Sequence, residues 1–138
     1  MSEKNNWRTG RSVLYKNTLH LVFVTKYRRK VFSNFLLTLV EETLKETCKQ
    51  MKCELMEFNG EEDHVHLIVS VHPKVAVSNL VGKLKGKSSY ILRKNHFDLI
   101  KHCLWGKHFW SPSYCVVSTG GVSLDVIKKY IEDQKRPD

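Results

Sequence analysis

Along residues 62–71 apolar and polar side chains alternate, with Val65, Leu67, Val69 and Val71 in one row and His64 and His66 in the other. A period of two is the signature of a strand, so this stretch predicts one that buries its aliphatic row and projects two imidazoles together from its other side. Residues 19–25, inside a segment that starts at Tyr15, are apolar at almost every position and predict a central strand covered on both faces. Between the two strands Phe35, Leu36, Leu39, Val40, Leu44, Cys48 and Met51 recur at spacings of three and four, which predicts a helix capped by Ser33 and running to about Met51. Cys53 to Asn59 alternates loosely as a short strand, and Asn59-Gly60 breaks it and turns it into the histidine strand as a hairpin.

Pro73 opens a second long helix, with Val77, Leu80, Val81, Leu84, Ile91 and Leu92 on its buried stripe. Residues 95–107 show no clear period and read as a connector. Residues 109–118 read as a last strand, with Pro112 placing its start at an edge. Gly120-Gly121 follows as a hinge, because paired glycines reach backbone angles closed to other residues. Ser123 then caps a final helix through Gln134, with Asp125 in its first turn and Lys135 and Arg136 past its last, as the helix dipole favours. Residues 1–12 are polar, aperiodic and read as a flexible arm, and the whole of 1–138 is short enough for one domain.

Composition narrows the partners. The formal net charge is +9, and a field of that sign concentrates polyanions and makes binding to them salt dependent. Nucleic acid is the expected partner; an anionic membrane fits less well, since no long basic amphipathic segment stands apart from the folded body. No apolar run approaches the roughly 20 residues of a membrane span, and the polar start lacks the hydrophobic region of a secretory signal. A cytoplasmic protein is expected. Cys48, Cys53, Cys103 and Cys115 show no CxxC spacing, which predicts reduced, packed thiols rather than a zinc knuckle or a redox pair.

Two basic clusters suit a phosphate backbone. Lys26, Arg28, Arg29 and Lys30 surround Tyr27 just after the first long strand. Lys83, Lys87, Tyr90 and Lys94 fall on one face of the second helix, beside Gly82 and Gly86. A solvated loop and a solvated helix face are the plain alternatives. The glycines cost a helix roughly 1 kcal/mol each against alanine, which points either to helix packing or to a partner that approaches the backbone closely.

The histidine pair can close on one cation, since imidazole is the commonest metal-ligating side chain. His20, inside the buried strand, reads as a satisfied core or sub-site histidine rather than a third ligand. Tyr130 and Gln134 lie one turn apart at the margin of the final helix, whose apolar stripe is Leu124, Ile127 and Ile131. Gln134 could offer its carbonyl oxygen to a metal, and Tyr130 could attack a phosphate bound there; each has an ordinary alternative as a surface amide and a packing residue.

Five stretches, in order, carry a resemblance over nearly the whole chain from Tyr15 to Gln134: Leu-Val-Phe-Val-Thr-Lys-Tyr-Arg-Arg-Lys at 21–30, Asp63-His64-Val65-His66-Leu67, Leu84-Lys85-Gly86-Lys87-Ser88-Ser89, Leu104-Trp105 with Trp110-Ser111-Pro112-Ser113-Tyr114, and Ile127-Lys128-Lys129-Tyr130-Ile131-Glu132-Asp133-Gln134. The chain thereby resembles the small single-tyrosine HUH transposases of bacterial and archaeal insertion sequences. His-hydrophobe-His alone is weak; all five in the same order at similar spacing are specific. The resemblance implies an α+β fold with a ferredoxin-like, RRM-like antiparallel sheet, helices packed on it, and a C-terminal helix over 122–136 carrying the tyrosine. It implies His64, His66 and Gln134 as ligands of Mg2+ or Mn2+ and Tyr130 as nucleophile; apart from the resemblance, Asp63 and Glu62 stand beside the pair and could serve either as ligands or as partners of the histidines.

It also implies a homodimer in which the tyrosine of one subunit can serve the histidines of the other. The substrate would be single-stranded DNA with hairpin ends, with Lys26, Tyr27, Arg28, Arg29, Lys83, Lys87 and Tyr90 as contacts. The rival readings are a non-catalytic single-stranded nucleic-acid binder on an RRM-like sheet, a domesticated relative that processes palindromic repeats, and a metal-dependent hydrolase that leaves Tyr130 idle. Paired stacking aromatics, which an RRM uses, are absent from the His64/His66 row.

Overall fold

The structure, a computed structural model, describes residues 7–9, 14–104, 108–118 and 129–133. Its core is a four-stranded antiparallel sheet built by β3 (Thr18–Val24), β4 (Glu54–Gly60), β5 (His64–Ser70) and β6 (Cys115–Ser118), in the spatial order β4-β5-β3-β6. Helix α1 (Asn34–Gln50) connects β3 to β4, and α2 (Val77–Ile100) connects β5 to β6. Two split βαβ units joined by the β4–β5 hairpin give a ferredoxin-like topology. A separate two-stranded ribbon pairs β1 (Arg8–Thr9) with β2 (Leu14–Tyr15), so part of the expected arm is strand.

Both helices cover one face of the sheet. Leu21 and Phe23 from β3, Val65, Leu67 and Val69 from β5, and Leu36, Val40, Leu44, Leu80, Leu84 and Leu92 from the helices form one buried cluster. The alternating row of β5 is fully buried, as its period requires. Ser33 caps α1 by accepting from the Leu36 amide at 3.2 Å, which satisfies a donor the helix cannot pair internally. Gly60 allows α1 to pack close, since a Cβ there would lie 2.5 Å from Leu37 Cδ2.

Four boundaries differ from expectation. Helix α2 starts at Val77 with Ala76 as N-cap, so Pro73 belongs to the preceding turn. It also runs on to Ile100 through a kink at His96 (φ −138°, ψ 36°), absorbing half of the expected connector. Buried Ile100 and Cys103 anchor this extension, but they follow the kink and so fall out of phase with the stripe before it. Strand β4 continues through Gly60, and the turn falls on residues 61–63. The last strand is shorter than its apolar run: Trp110 makes an isolated bridge to Thr25, and regular pairing starts at Cys115. No helix among the described residues is long and apolar enough to cross a membrane.

Gly82 and Gly86 sit on the exposed side of α2, where an added Cβ meets nothing within 4 Å among the described residues. Packing among the described residues therefore does not require them. Replacing both by alanine is expected to raise stability by about 1 kcal/mol per site, read as a higher denaturation midpoint with an unchanged denaturant slope. A lower midpoint would show that this face is already covered in the free protein.

Candidate active site

The face of the sheet opposite the helices carries the histidines. His64 and His66 stand two residues apart on β5 with ring centroids 4.8 Å apart. His64 Nδ1 lies 2.7 Å from Asp63 Oδ1, and Asp63 Oδ2 accepts from Arg28 Nε at 3.0 Å. Burial alone would push the Asp63 carboxyl up, but hydrogen bonds from His64 and Arg28 and their charges outweigh it and hold the carboxyl below its ordinary range. Arg28 reaches Asp63 because the chain reverses sharply after β3, with Tyr27 and Arg28 both left-handed (φ 58° and 55°). Such angles cost of order 1–3 kcal/mol each in a non-glycine residue, so the surroundings must hold them. Thr25 does so from one side, its hydroxyl donating to the Arg29 carbonyl at 2.7 Å and its amide to the Asp63 carbonyl at 3.0 Å.

His66 Nδ1 faces His20 Nε2 at 3.3 Å. His20 is thus a satisfied sub-site histidine, as its place in an apolar strand suggests. Burial, then the neighbouring charges of His64 and His20, push His66 down to about 4. Burial also lowers His20, with Glu57 working against it. Both rings are neutral at pH 7, the form a metal ligand needs. With each Nδ1 engaged, Nε2 is the nitrogen that His64 and His66 have left for a cation, and a carboxylate behind a ligating histidine is the usual supporting arrangement. Among the described residues no third histidine, cysteine or carboxylate joins the pair in a metal-binding group. Gln134, the expected third ligand, lies outside the described residues, as do Gly120 and Gly121 of the expected hinge. A cavity of about 240 Å³ opens beside His20 and His66, bordered by Glu57, Asn59 and Ile68.

Tyr130 lies on this same face. Residues 129–132 are helical, and Tyr130 and Ile131 pack with Cys115 on Val22 and Val24. Those two valines are the cross-strand partners of the histidines: Val22 pairs with His66 and Val24 with His64. The tyrosine therefore rests on the strand next to the imidazole pair. Its hydroxyl is 2.9 Å from Ser113 Oγ. Burial raises its pKa, the Ser113 hydrogen bond opposes that, and Cys115 adds to it, so the net shift keeps the phenol protonated at neutral pH.

Lys85 fixes the Ser113 segment. Its Nζ donates to the carbonyls of Ser111 and Ser113, both at 2.7 Å, and lies 5.5 Å from the Phe23 ring centre and 5.6 Å from that of Tyr114. Burial lowers its pKa to about 8. Neither Lys85 nor Ser113 was expected at the site. The readable signal for Lys85 is its place at the edge of the buried stripe, four residues after Val81 and seven before Leu92.

The expected DNA contacts fall in two places. Lys26, Tyr27, Arg28 and Arg29 are half-buried at the histidine end of β3, with Lys26 Nζ 4.8 Å from the Tyr27 ring centre and Arg28 bound to Asp63. Lys83, Lys87 and Tyr90 are exposed on α2, on the far side of the sheet from the histidines. Lys94 Nζ lies 5.7 Å from the Tyr90 ring centre.

A family profile described as "Transposase IS200 like" matches residues 13–134. The chain is 32% identical to the ISDra2 transposase TnpA of Deinococcus radiodurans over 127 residues, covering 92% of this chain and 90% of that one. It is 34% identical over 119 residues to the transposase for insertion sequence element IS200 of Salmonella typhimurium, covering 86% of this chain and 77% of the other. The crystal structure of a candidate transposase from D. radiodurans R1 superposes with a TM-score of 0.84 at 30% identity, covering 94% of this chain and 99% of that one. A REP-associated tyrosine transposase, solved bound to a REP hairpin, shares the fold at a TM-score of 0.58 and 11% identity, over 91% of this chain and 68% of the other.

The Asp63 pairing has a pH signature. A carboxyl with a lowered folded pKa stabilises the fold above its unfolded pKa, and that stability is lost as pH falls through the folded value. The melting temperature should therefore drop more steeply below about pH 4 in the wild type than in Asp63→Asn. Parallel slopes would remove the buried pair as a source of stability.

Proposed function

The chain belongs to the IS200-like transposase family, and from that premise we propose that it cleaves and rejoins single-stranded DNA at insertion-sequence ends through a covalent 5′-phosphotyrosine on Tyr130. The observation that supports this best is the packing of Tyr130 on Val22 and Val24, the strand partners of His66 and His64. Nucleophile and cation-binding imidazoles then belong to one face of one sheet. In the forward step the phenol loses its proton and its oxygen bonds to phosphorus. The bond to the 3′ oxygen breaks, and that oxygen takes up a proton as a free 3′-hydroxyl. Attack by another 3′-hydroxyl reverses the step and joins strands without nucleotide hydrolysis.

His64 and His66, with Gln134 as the third ligand, would hold Mg2+ or Mn2+; imidazole ligands suit manganese better. Bound there, the ion would supply positive charge against the scissile phosphate. The chain's own residues do the rest. Asp63 orients His64, and Arg28 holds Asp63. Ser113 holds the Tyr130 hydroxyl at 2.9 Å, with the phenol protonated, so reaction requires that contact to be exchanged for the phosphate. Lys83, Lys87 and Tyr90 on α2, and the 26–29 turn, would grip the hairpin ends of the substrate, where an aromatic–base stack is worth roughly 1–3 kcal/mol.

Labelled single-stranded DNA from the element's own ends, incubated with Mn2+, should give a denaturation-resistant adduct that Tyr130→Phe abolishes. Cleavage without an adduct would favour the hydrolase, and binding with neither would favour the passive binder. A homodimer with exchanged tyrosines is tested by mixing Tyr130→Phe with His64→Ala subunits, because adduct formation returns only if one subunit's tyrosine serves the other's histidines. The Gly82→Ala/Gly86→Ala protein, stabilised in isolation, should bind the hairpin more weakly in a filter or anisotropy titration if DNA approaches α2 closely. Unchanged affinity would move the hairpin off that face.

A further inference from the structure

We propose that His20 is a positioning residue: it accepts a hydrogen bond from His66 Nδ1 and so fixes His66 in the tautomer whose Nε2 lone pair can bind a divalent cation. This rests on the reading of His64 and His66 as metal ligands. The geometry is that of a diagonal pair on adjacent strands, since His66 is in register with Val22 and His20 lies two residues further along β3. Long rings can span such a diagonal. His66 Nδ1 and His20 Nε2 are 3.3 Å apart, and the ring centroids 5.4 Å.

A single proton lies between the two nitrogens, and its owner decides the chemistry. A neutral imidazole has one N–H. If His20 donated, the proton of His66 would sit on Nε2 and its lone pair would be spent on His20. If His66 donates, Nε2 is free. His20 is flanked across the sheet by Ile68 on one side and Val117 on the other, both apolar. The two ligand histidines thus have unlike supports, a carboxylate behind His64 and a second imidazole behind His66. An apolar residue at position 20 would leave His66 free to place its proton on either nitrogen.

The test uses the full chain, a ring-preserving variant without the acceptor, His20→Phe, and one that keeps an acceptor, His20→Gln. Two-bond proton–nitrogen NMR on the metal-free wild type should show His66 protonated on Nδ1, a result that needs no variant to fold. Titration with Mn2+, followed by loss of the free-ion EPR signal, should show affinity about 10-fold or more weaker in His20→Phe and largely recovered in His20→Gln. A structural filler role would be met by phenylalanine and not by glutamine. His66 protonated on Nε2 in the wild type, or wild-type affinity in His20→Phe, would overturn the inference alone. A wild type that binds no Mn2+ would overturn the metal reading and this inference with it.

Discussion

The register between β3 and β5 is the constraint on which the site depends. Because the side-chain period of a strand is two, a slip of one residue would bury His64 and His66 and expose Val65 and Leu67. The pairing that sets Val22 against His66 and Val24 against His64 also fixes which part of β3 the tyrosine can rest on. One alignment of backbone hydrogen bonds thereby determines the hydrophobic core on one face and the chemistry on the other. The fully buried row of β5 is what holds that alignment, since a one-residue slip would expose it to water.

Periodicity alone makes most of this visible in the sequence. The β5 alternation, the apolar β3 and the spacing of α1 each had a single reading, and Ser33 marked the helix start. Boundaries failed where punctuation and packing disagree: Pro73 is a good first-turn residue, but the chain needs another turn before α2 begins, and α2 continues past an apparent loss of period because a kink at His96 resets its phase. At the site, the histidines were legible because two titratable rings on one strand face are conspicuous. Asp63 beside the pair and His20 inside the apolar strand were legible as a partner of the histidines and a sub-site histidine, but the groups that hold them, Arg28 and His66, were not, nor was the hold of Lys85 on Ser111, since each of those contacts spans 26 to 46 positions that no local pattern specifies.

The turn after β3 shows how an apparently exposed feature is drawn into the fold. Four cations around a tyrosine suggest a solvent-facing cluster, yet Arg28 is spent on Asp63, and two consecutive left-handed residues are tolerated to bring it there. Hydrogen bonds from Thr25 and the ion pair offset that strain. Sequence shows the charge of such a residue but not its direction.

The placement of the histidines on one side of the sheet and of Lys83, Lys87 and Tyr90 on the other has a consequence for any nucleic acid that meets both. A straight duplex cannot touch the two surfaces of one subunit at once, because a layer of strands and a layer of helices stand between them. The polymer has to round the rim of the sheet, which a flexible unpaired segment can do and a stiff double helix cannot. A nucleic acid that did meet both faces would therefore need a pliable segment where it rounds that rim.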